Sequence, residues 1–184
     1  NNPEPELTLI VNKNAKIVGA TLGNDVNHRD IEGRSALLLG KAKDNNAACA
    51  LGPFIRLLDQ SFTLDDLRNL EVNLEIEGLD AYSLQDQNNV ANIRRDISEI
   101  VSQCIGSCNN YPDGVALMLG AMSSPVQDRD EEGAGFTHKP GDIVRISSPK
   151  LGLLVNRVQH TDKIDGWTFG ISDLMKNLGE RSYI

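Results

Sequence analysis

The sequence predicts a single α+β domain in which β-strands dominate and helices are few and short. Residues 70–77 alternate between apolar and polar side chains, as expected of a strand with one buried face. Further apolar runs of strand length recur at 115–119, 142–147 and 151–158. The helical patterns between these runs are too few for a doubly wound sheet, which favours an α+β, mainly β domain.

Two more strands are predicted near the amino terminus, at residues 6–11 and 16–22, joined by a turn at residues 12–15. Such a hairpin would return the chain after residue 22 to the start of the first strand. The Gly52–Pro53 pair predicts another turn. Residues 127–141 are rich in glycine and charge and predict a long loop.

Helices are predicted at three places. Thr63 has the pattern of an N-cap, since acidic residues follow it in the first turn of a short helix. Apolar residues at helical spacing predict an amphipathic helix from about 91 to 106. Residues 171–178 predict a last short helix, with Trp167 and Phe169 packed against it. Polar residues 26–43 predict a loop with a short helical turn.

The composition of the chain limits the size of its core, its expected partners and its expected location. With 184 residues, 40% of them hydrophobic, the chain can bury the core of one domain. A net charge of −8 argues against a nucleic-acid partner, which requires clustered lysine and arginine. No apolar run approaches the roughly 20 residues of a membrane-spanning helix, so no membrane partner is expected. Three cysteines form no disulfide framework, and a reducing cytoplasm is therefore the expected location.

Three carboxylates suggest a metal site. Glu4 and Glu6 are two residues apart and would project from the same side of an extended strand. Asp25 follows the second strand of the predicted hairpin and would return beside them. Three convergent carboxylates suit hard cations such as Mg²⁺, Mn²⁺ or Ca²⁺ and leave coordination positions open for substrate. The alternative is that Glu4 and Glu6 are solvated residues of a frayed terminus.

The position of these residues carries a second expectation. The chain begins with Asn1 rather than methionine, and the predicted ligands begin at position 4. A metal site on an unanchored terminus would lose much of its binding free energy in ordering the chain. Residues 1–184 are therefore expected to be a single catalytic domain that forms the carboxy-terminal part of a longer protein.

A set of short motifs, in chain order, resembles the fumarylacetoacetate hydrolase family and covers roughly residues 3 to 158. The motifs are Glu4-x-Glu6, Gly23-Asn-Asp25-Val26, Arg29-Asp30, Lys43, Gly52-Pro53, Gly-Asp-Ile-Val at 141–144 and Leu-Gly-Leu-Leu-Val-Asn at 151–156. Within the family, residues 29–33, 42–43 and 49–53 most resemble the 2-keto-3-deoxy-arabonate dehydratases. The resemblance implies a mixed β-roll with few short helices.

The resemblance also implies a function. Glu4, Glu6 and Asp25 would hold Mg²⁺, with Mn²⁺ or Ca²⁺ as alternatives, and the metal would chelate a small 2-oxo acid. The ion would polarise the keto group and stabilise the enolate formed at C3. The expected reaction is dehydration of a 2-keto-3-deoxy sugar acid. Hydrolysis of an acylpyruvate-type carbon–carbon bond is the alternative, and a non-catalytic metal-binding module is a third hypothesis. Family members are usually dimers or larger, so a homo-oligomer is expected.

Further residues are carried over from the family pattern. Arg29 matches an arginine beside the substrate carboxylate, although an ion pair with Asp30 or Glu32 would explain it equally well. Glu32 stands where some relatives have glutamine, and a contact with substrate or water is expected. Lys43 matches a lysine near the metal that would neutralise enolate charge; without the family it would be a surface lysine.

Two departures from the family pattern concern the substrate pocket. The family commonly has Gly-Thr after a strand where this chain has Gly120 and Ala121. Ser123 and Ser124 follow and are candidates for the missing hydroxyl. The family's acid–base residues on a mobile lid precede the Glu-x-Glu motif and are not among these 184 residues. None of the three histidines replaces them, and for His138 a structural hydrogen bond is expected.

Overall fold

A computed structural model describes all residues, 1–184, as two four-stranded antiparallel sheets connected by short helices and loops. Strands β1 to β8 are, in order, Pro5–Val11, Ile17–Asp25, Cys49–Leu57, Glu71–Glu77, Ser83–Asn89, Val115–Met118, Ile143–Ser148 and Gly152–Arg157. The first sheet has the order β3-β2-β1-β6 and the second β5-β4-β7-β8. The predicted mainly β fold is therefore present.

The core lies between the two sheets and follows the alternation of side chains along the strands. In β4, Val72, Leu74 and Ile76 are buried, while the intervening polar residues are more exposed. The facing strand β1 contributes Leu7 and Leu9, both fully buried. The period of two therefore determines which side of each strand packs inward, as predicted for residues 70–77.

Five α-helices, α1 to α5, span Arg29–Glu32, Leu39–Lys43, Leu64–Arg68, Ile97–Cys104 and Ile171–Glu180. Three 3-10 segments add Ala36–Leu38, Val90–Asn92 and Thr161–Lys163. Thr63 caps α3 through a capping box with Asp66, as its sequence context predicts. The prediction of one helix from 91 to 106 was wrong in its first half. Asp96 accepts a hydrogen bond from the Ser98 backbone amide and caps α4, so the helix starts at Ile97.

Two strands depart from the sequence prediction. Strand β5 was not predicted, because only Leu84 of its seven residues is buried and the segment has no apolar pattern. It is a strand because it pairs with β4 along its whole length. Strand β3 continues through Gly52–Pro53 instead of turning there. Because β3 is an edge strand with β2 as its only neighbour, a proline without an N–H group fits there.

The carboxy-terminal segment lies on the surface. Helix α5 has no buried residue. Trp167 is 85% exposed and Phe169 is 51% exposed, so the prediction that they pack this helix against the domain was wrong. Apolar Phe54 and Leu57 of β3 are also exposed, which agrees with the expected homo-oligomer; that assembly stays a prediction. No helix has the length and apolar character needed to cross a membrane.

A buried ionic cluster anchors the long loop at 127–141. The fully buried carboxylate of Asp142 accepts two hydrogen bonds from Arg129, at 2.6 and 2.7 Å, and one from His138 Nδ1 at 3.3 Å. Burial alone would raise the pKa of Asp142, but these hydrogen bonds hold it below its ordinary value. Burial lowers the pKa of His138 to about 4. The expected structural hydrogen bond of His138 is therefore present.

We expect His138 to make the fold less stable as pH falls from about 6.5 towards about 4. In this window the unfolded histidine binds a proton and the folded one does not, so acid favours unfolding by up to roughly 3 kcal/mol. Over part of this pH range Glu6 has the opposite effect on stability, because its pKa in the folded protein is raised to about 7. Lower pH therefore stabilises the fold through Glu6 while it destabilises the fold through His138.

The unfolding free energies of wild type and His138→Gln are measured by urea titration at each pH, and the difference between them is compared across pH. The exposed His160→Gln is the matched control. A difference that does not change between pH 7 and pH 4 would show that His138 is not held neutral.

Candidate metal centre

The hairpin of β1 and β2 brings three carboxylates to one end of the first sheet. Glu6 pairs with Gly23, and the Asp25 backbone amide donates to the Glu4 carbonyl at 3.0 Å. Residues paired across a ladder project from the same face, so Glu4, Glu6 and Asp25 share one side of the sheet. One carboxylate oxygen from each lies within 4.8 Å of the other two. Asp25 is the last residue of β2, whereas the sequence placed it just beyond the strand.

Glu6 is the most deeply placed of the three and is 3% exposed. Its Oε2 accepts a hydrogen bond from the Gly120 backbone amide at 2.7 Å. Burial raises the pKa of Glu6 to about 7, with the charges of Asp25 and Glu4 adding to the rise and the Gly120 hydrogen bond opposing it. A buried carboxylate beside two others requires a positive partner to ionise fully at neutral pH.

Lys43 supplies a positive charge at this point. It is the last residue of α2, and its Nζ donates to the Glu4 carboxylate and, at 2.8 Å, to both Oδ2 and the backbone oxygen of Asp25. Burial alone would lower the pKa of Lys43, but the hydrogen bonds to Asp25 and Glu4 raise it overall. The side chain belongs to the site, and the interpretation as a surface lysine was wrong.

Two further side chains border the carboxylates. Asn27 is 2% exposed, and its Nδ2 donates to Glu4 at 2.9 Å and to Glu32 at 2.6 Å. Glu32 of α1 is thereby connected to Glu4 through one intervening amide group. Sequence reasoning missed Asn27, although its place two residues after Asp25 was a signal.

Arg29 lies at the edge of the site. Its Nη1 donates to the Pro125 carbonyl at 3.3 Å, and the side chain makes no hydrogen bond or ion pair with the three carboxylates. It also makes no ion pair with Asp30 or Glu32; Asp30 instead faces Arg34 at 4.0 Å. The role of Arg29 beside a substrate carboxylate stays a prediction.

The loop after β6 closes another side of the site. Gly120 contacts Glu6 through its backbone amide, a contact that the sequence did not indicate. Ala121 is exposed and offers only a methyl group, and Ser123 is half-buried and makes no side-chain hydrogen bond. The Ser124 hydroxyl accepts from Asn2 Nδ2 at 2.5 Å, and its own O–H has no acceptor. Both candidate hydroxyls therefore retain a donor for a ligand, and that of Ser123 makes no hydrogen bond within the protein.

The donor set fits a hard divalent cation. The three acidic side chains supply oxygen ligands alone, which is the chemistry of Mg²⁺, Mn²⁺ and Ca²⁺ rather than of zinc. Their three negative charges match one dication together with the Lys43 ammonium. The ammonium group of Lys43 is hydrogen-bonded to Glu4 and Asp25, so these carboxylates already stabilise one positive charge.

Residues 4–159 match the family model described as fumarylacetoacetate (FAA) hydrolase C-terminal. This match covers most of the chain, which therefore belongs to the fumarylacetoacetate hydrolase C-terminal family. The predicted family, and the predicted likeness to its sugar-acid dehydratases, are confirmed.

Three relatives define that likeness. The chain is 33% identical over 165 residues to 2-dehydro-3-deoxy-D-arabinonate dehydratase of Saccharolobus solfataricus, covering 88% of this chain and 51% of the relative. It is 31% identical over 156 residues to a probable 2-keto-3-deoxyxylonate dehydratase of Haloferax volcanii, covering 85% and 50%. A solved 2-keto-3-deoxy-D-arabinonate dehydratase, complexed with magnesium and 2,5-dioxopentanoate, has a TM-score of 0.68 and 30% identity, covering 85% and 52%. The chain thus spans about half the length of these relatives.

Proposed function

We propose that this chain is the catalytic part of a Mg²⁺-dependent dehydratase that acts on a 2-keto-3-deoxy sugar acid of pentonate type. The observation that carries the proposal is that one carboxylate oxygen from each of Glu4, Glu6 and Asp25 lies within 4.8 Å of the other two, with Lys43 bonded to Glu4 and Asp25. Two relatives at 31–33% identity bear dehydratase names, and one solved relative contains magnesium and a 2-oxo acid, which supports this substrate class.

Glu4, Glu6 and Asp25 would hold the metal. When bound, Mg²⁺ supplies a Lewis acid that polarises the 2-oxo group of the substrate. Lys43 donates to Glu4 and Asp25, and a bound dication would compete with it for these carboxylates. The Lys43 ammonium would then be available to stabilise the negative charge that develops on the substrate after loss of the C3 proton. The proposal names Mg²⁺ rather than Mn²⁺ or Ca²⁺ because one solved relative contains magnesium.

Glu32 and Arg29 have the remaining roles. Dehydration breaks the C3–H and C4–O bonds, forms a C3–C4 double bond and releases water. Transfer of a proton from C5 to C3 then gives a C4–C5 enol, and ketonisation of this enol gives the dioxopentanoate. Glu32, held by Asn27 next to Glu4, is the candidate for moving the proton between C3 and the departing hydroxyl. Arg29 is the candidate for the substrate carboxylate, since guanidinium groups bind carboxylates in a bidentate manner. Ser123, beside Ala121, would donate the further hydrogen bond.

The test offers the protein two substrate classes with Mg²⁺ and identifies the products by NMR. From a 2-keto-3-deoxypentonate we expect a dioxopentanoate, formed with loss of water and abolished by EDTA. Cleavage of an acylpyruvate to pyruvate, without dehydration of the sugar acid, would replace the proposal by the hydrolase. No turnover of either class by a protein that binds Mg²⁺ would instead support the non-catalytic metal-binding module.

A further inference from the structure

Asn27 has a fixed position between two acidic side chains of the site. Its backbone pairs with that of Asn2 through two hydrogen bonds of 3.0 and 3.1 Å, which join the segment after β2 to the chain before β1. The residue is 2% exposed, so its side chain is enclosed. An enclosed side chain on an anchored backbone has few alternative rotamers.

The orientation of the Asn27 amide follows from its neighbours. Its Nδ2 lies 2.9 Å from Glu4 Oε1 and 2.6 Å from Glu32 Oε2. Ionised carboxylates only accept hydrogen bonds, so the two N–H groups must face them, one for each carboxylate. The Oδ1 atom is buried and has no partner. All side-chain hydrogen bonding of Asn27 is therefore directed at Glu4 and Glu32.

Asn27 is the only side chain that donates to Glu32, and it is one of two that donate to Glu4. Glu32 ends a one-turn helix and makes no other side-chain hydrogen bond or ion pair. Glu4 is held on its second oxygen by Lys43, the group that a bound dication would displace. Once Lys43 leaves Glu4, Asn27 is the remaining side chain that orients this carboxylate.

We propose that Asn27 is a positioning residue that couples Glu4 to Glu32. Its one amide group orients Glu4 for cation binding and Glu32 for proton transfer at the same time. The inference rests on the proposed function in its assignment of Glu4 and Glu32. Groups that orient the ligands of a metal typically change metal affinity or activity 10- to 100-fold when they are removed. Loss of Asn27 is therefore expected to act on both measurements.

The experiment compares Asn27→Ala and Asn27→Ser with wild type. Serine has one hydroxyl proton and cannot donate to both carboxylates at once. Asn73→Ala is the matched control, since Asn73 donates to Glu71 at 3.2 Å on the second sheet, away from the site. The first readout is Mn²⁺ affinity by calorimetry, which requires no substrate. We expect roughly 10-fold weaker binding for Asn27→Ala, a smaller loss for Asn27→Ser and none for Asn73→Ala.

The second readout tests the coupling. At saturating Mg²⁺, Asn27→Ala should lower the turnover number of the wild-type protein but change that of Glu32→Gln little, because the proton-transfer group that Asn27 positions is already disabled in that background. Unchanged Mn²⁺ affinity in both folded Asn27 variants would overturn the inference, as would equal turnover losses in the two backgrounds. Absence of Mn²⁺ binding by wild type would overturn the proposed function, and the inference with it. Metal binding without dehydration would overturn the proposed reaction and the role of Glu32 in proton transfer, and the affinities would then decide whether Asn27 orients Glu4.

Discussion

Glu6→Gln is expected to abolish divalent-cation binding while leaving the metal-free fold at least as stable as wild type. Glutamine has nearly the same shape and still accepts the Gly120 hydrogen bond through its amide oxygen. It also removes a charge that is buried beside two other carboxylates. The substitution therefore relieves like-charge repulsion and the cost of burial in the metal-free protein, but takes one ligand from the cation.

The measurement is thermal unfolding with and without Mg²⁺. At a hundredfold excess over Kd, a bound ion stabilises wild type by about 2.7 kcal/mol, which raises Tm by roughly 5–10 °C for a domain of this size. Glu6→Gln should show no such rise. Glu75→Gln on the second sheet is the control and should respond to Mg²⁺ like wild type. If Glu6→Gln retains the full rise, Glu6 is not a ligand.

Lys43→Met is expected to lower turnover by roughly 10²–10³-fold, the usual effect of removing one group that stabilises developing negative charge. Methionine retains the length and most of the apolar volume of the lysine stem. In the metal-free protein, however, Lys43 neutralises Glu4 and Asp25, so its loss there should also reduce stability. With Mg²⁺ bound, the dication takes over that neutralisation and the stability loss should be small.

The informative comparison is therefore made at saturating Mg²⁺, with turnover and unfolding free energy measured on the same samples. Lys41→Met is the matched control, because Lys41 lies in the same short helix but is exposed. It should behave like wild type in both measurements. A Lys43→Met variant with normal turnover, or one whose turnover loss follows its instability at saturating Mg²⁺, would remove Lys43 from the catalytic residues.

The features that could be predicted from the sequence are local. The i, i+2 spacing of Glu4 and Glu6 requires only that β1 be extended, and the period of two in β4 requires only one buried face. The N-cap at Thr63 depends on residues within one helical turn. In each case the atoms that interact are close along the chain, so the pattern of residues contains the whole physical cause.

Family resemblance added long-range information that the residue pattern did not contain. Lys43 lies in a polar segment with no local signal, yet its Nζ reaches a carboxylate 39 residues away. Only the family pattern placed it near the metal. The same pattern associated Arg29 with a substrate carboxylate, which stays a prediction; its guanidinium donates to the Pro125 carbonyl.

The sequence by itself therefore determined the mainly β class, the carboxylate pair at the start of β1 and the return of Asp25 through a hairpin. Tertiary structure alone decided that the Gly120 amide faces Glu6 across 114 residues and that β5 pairs with β4 despite its polar composition. It also decided that Asn27 lies between Glu4 and Glu32. These contacts depend on how the sheets and loops pack, because a hydrogen bond forms only when both partners arrive within about 3 Å. No spacing along the chain specifies that distance.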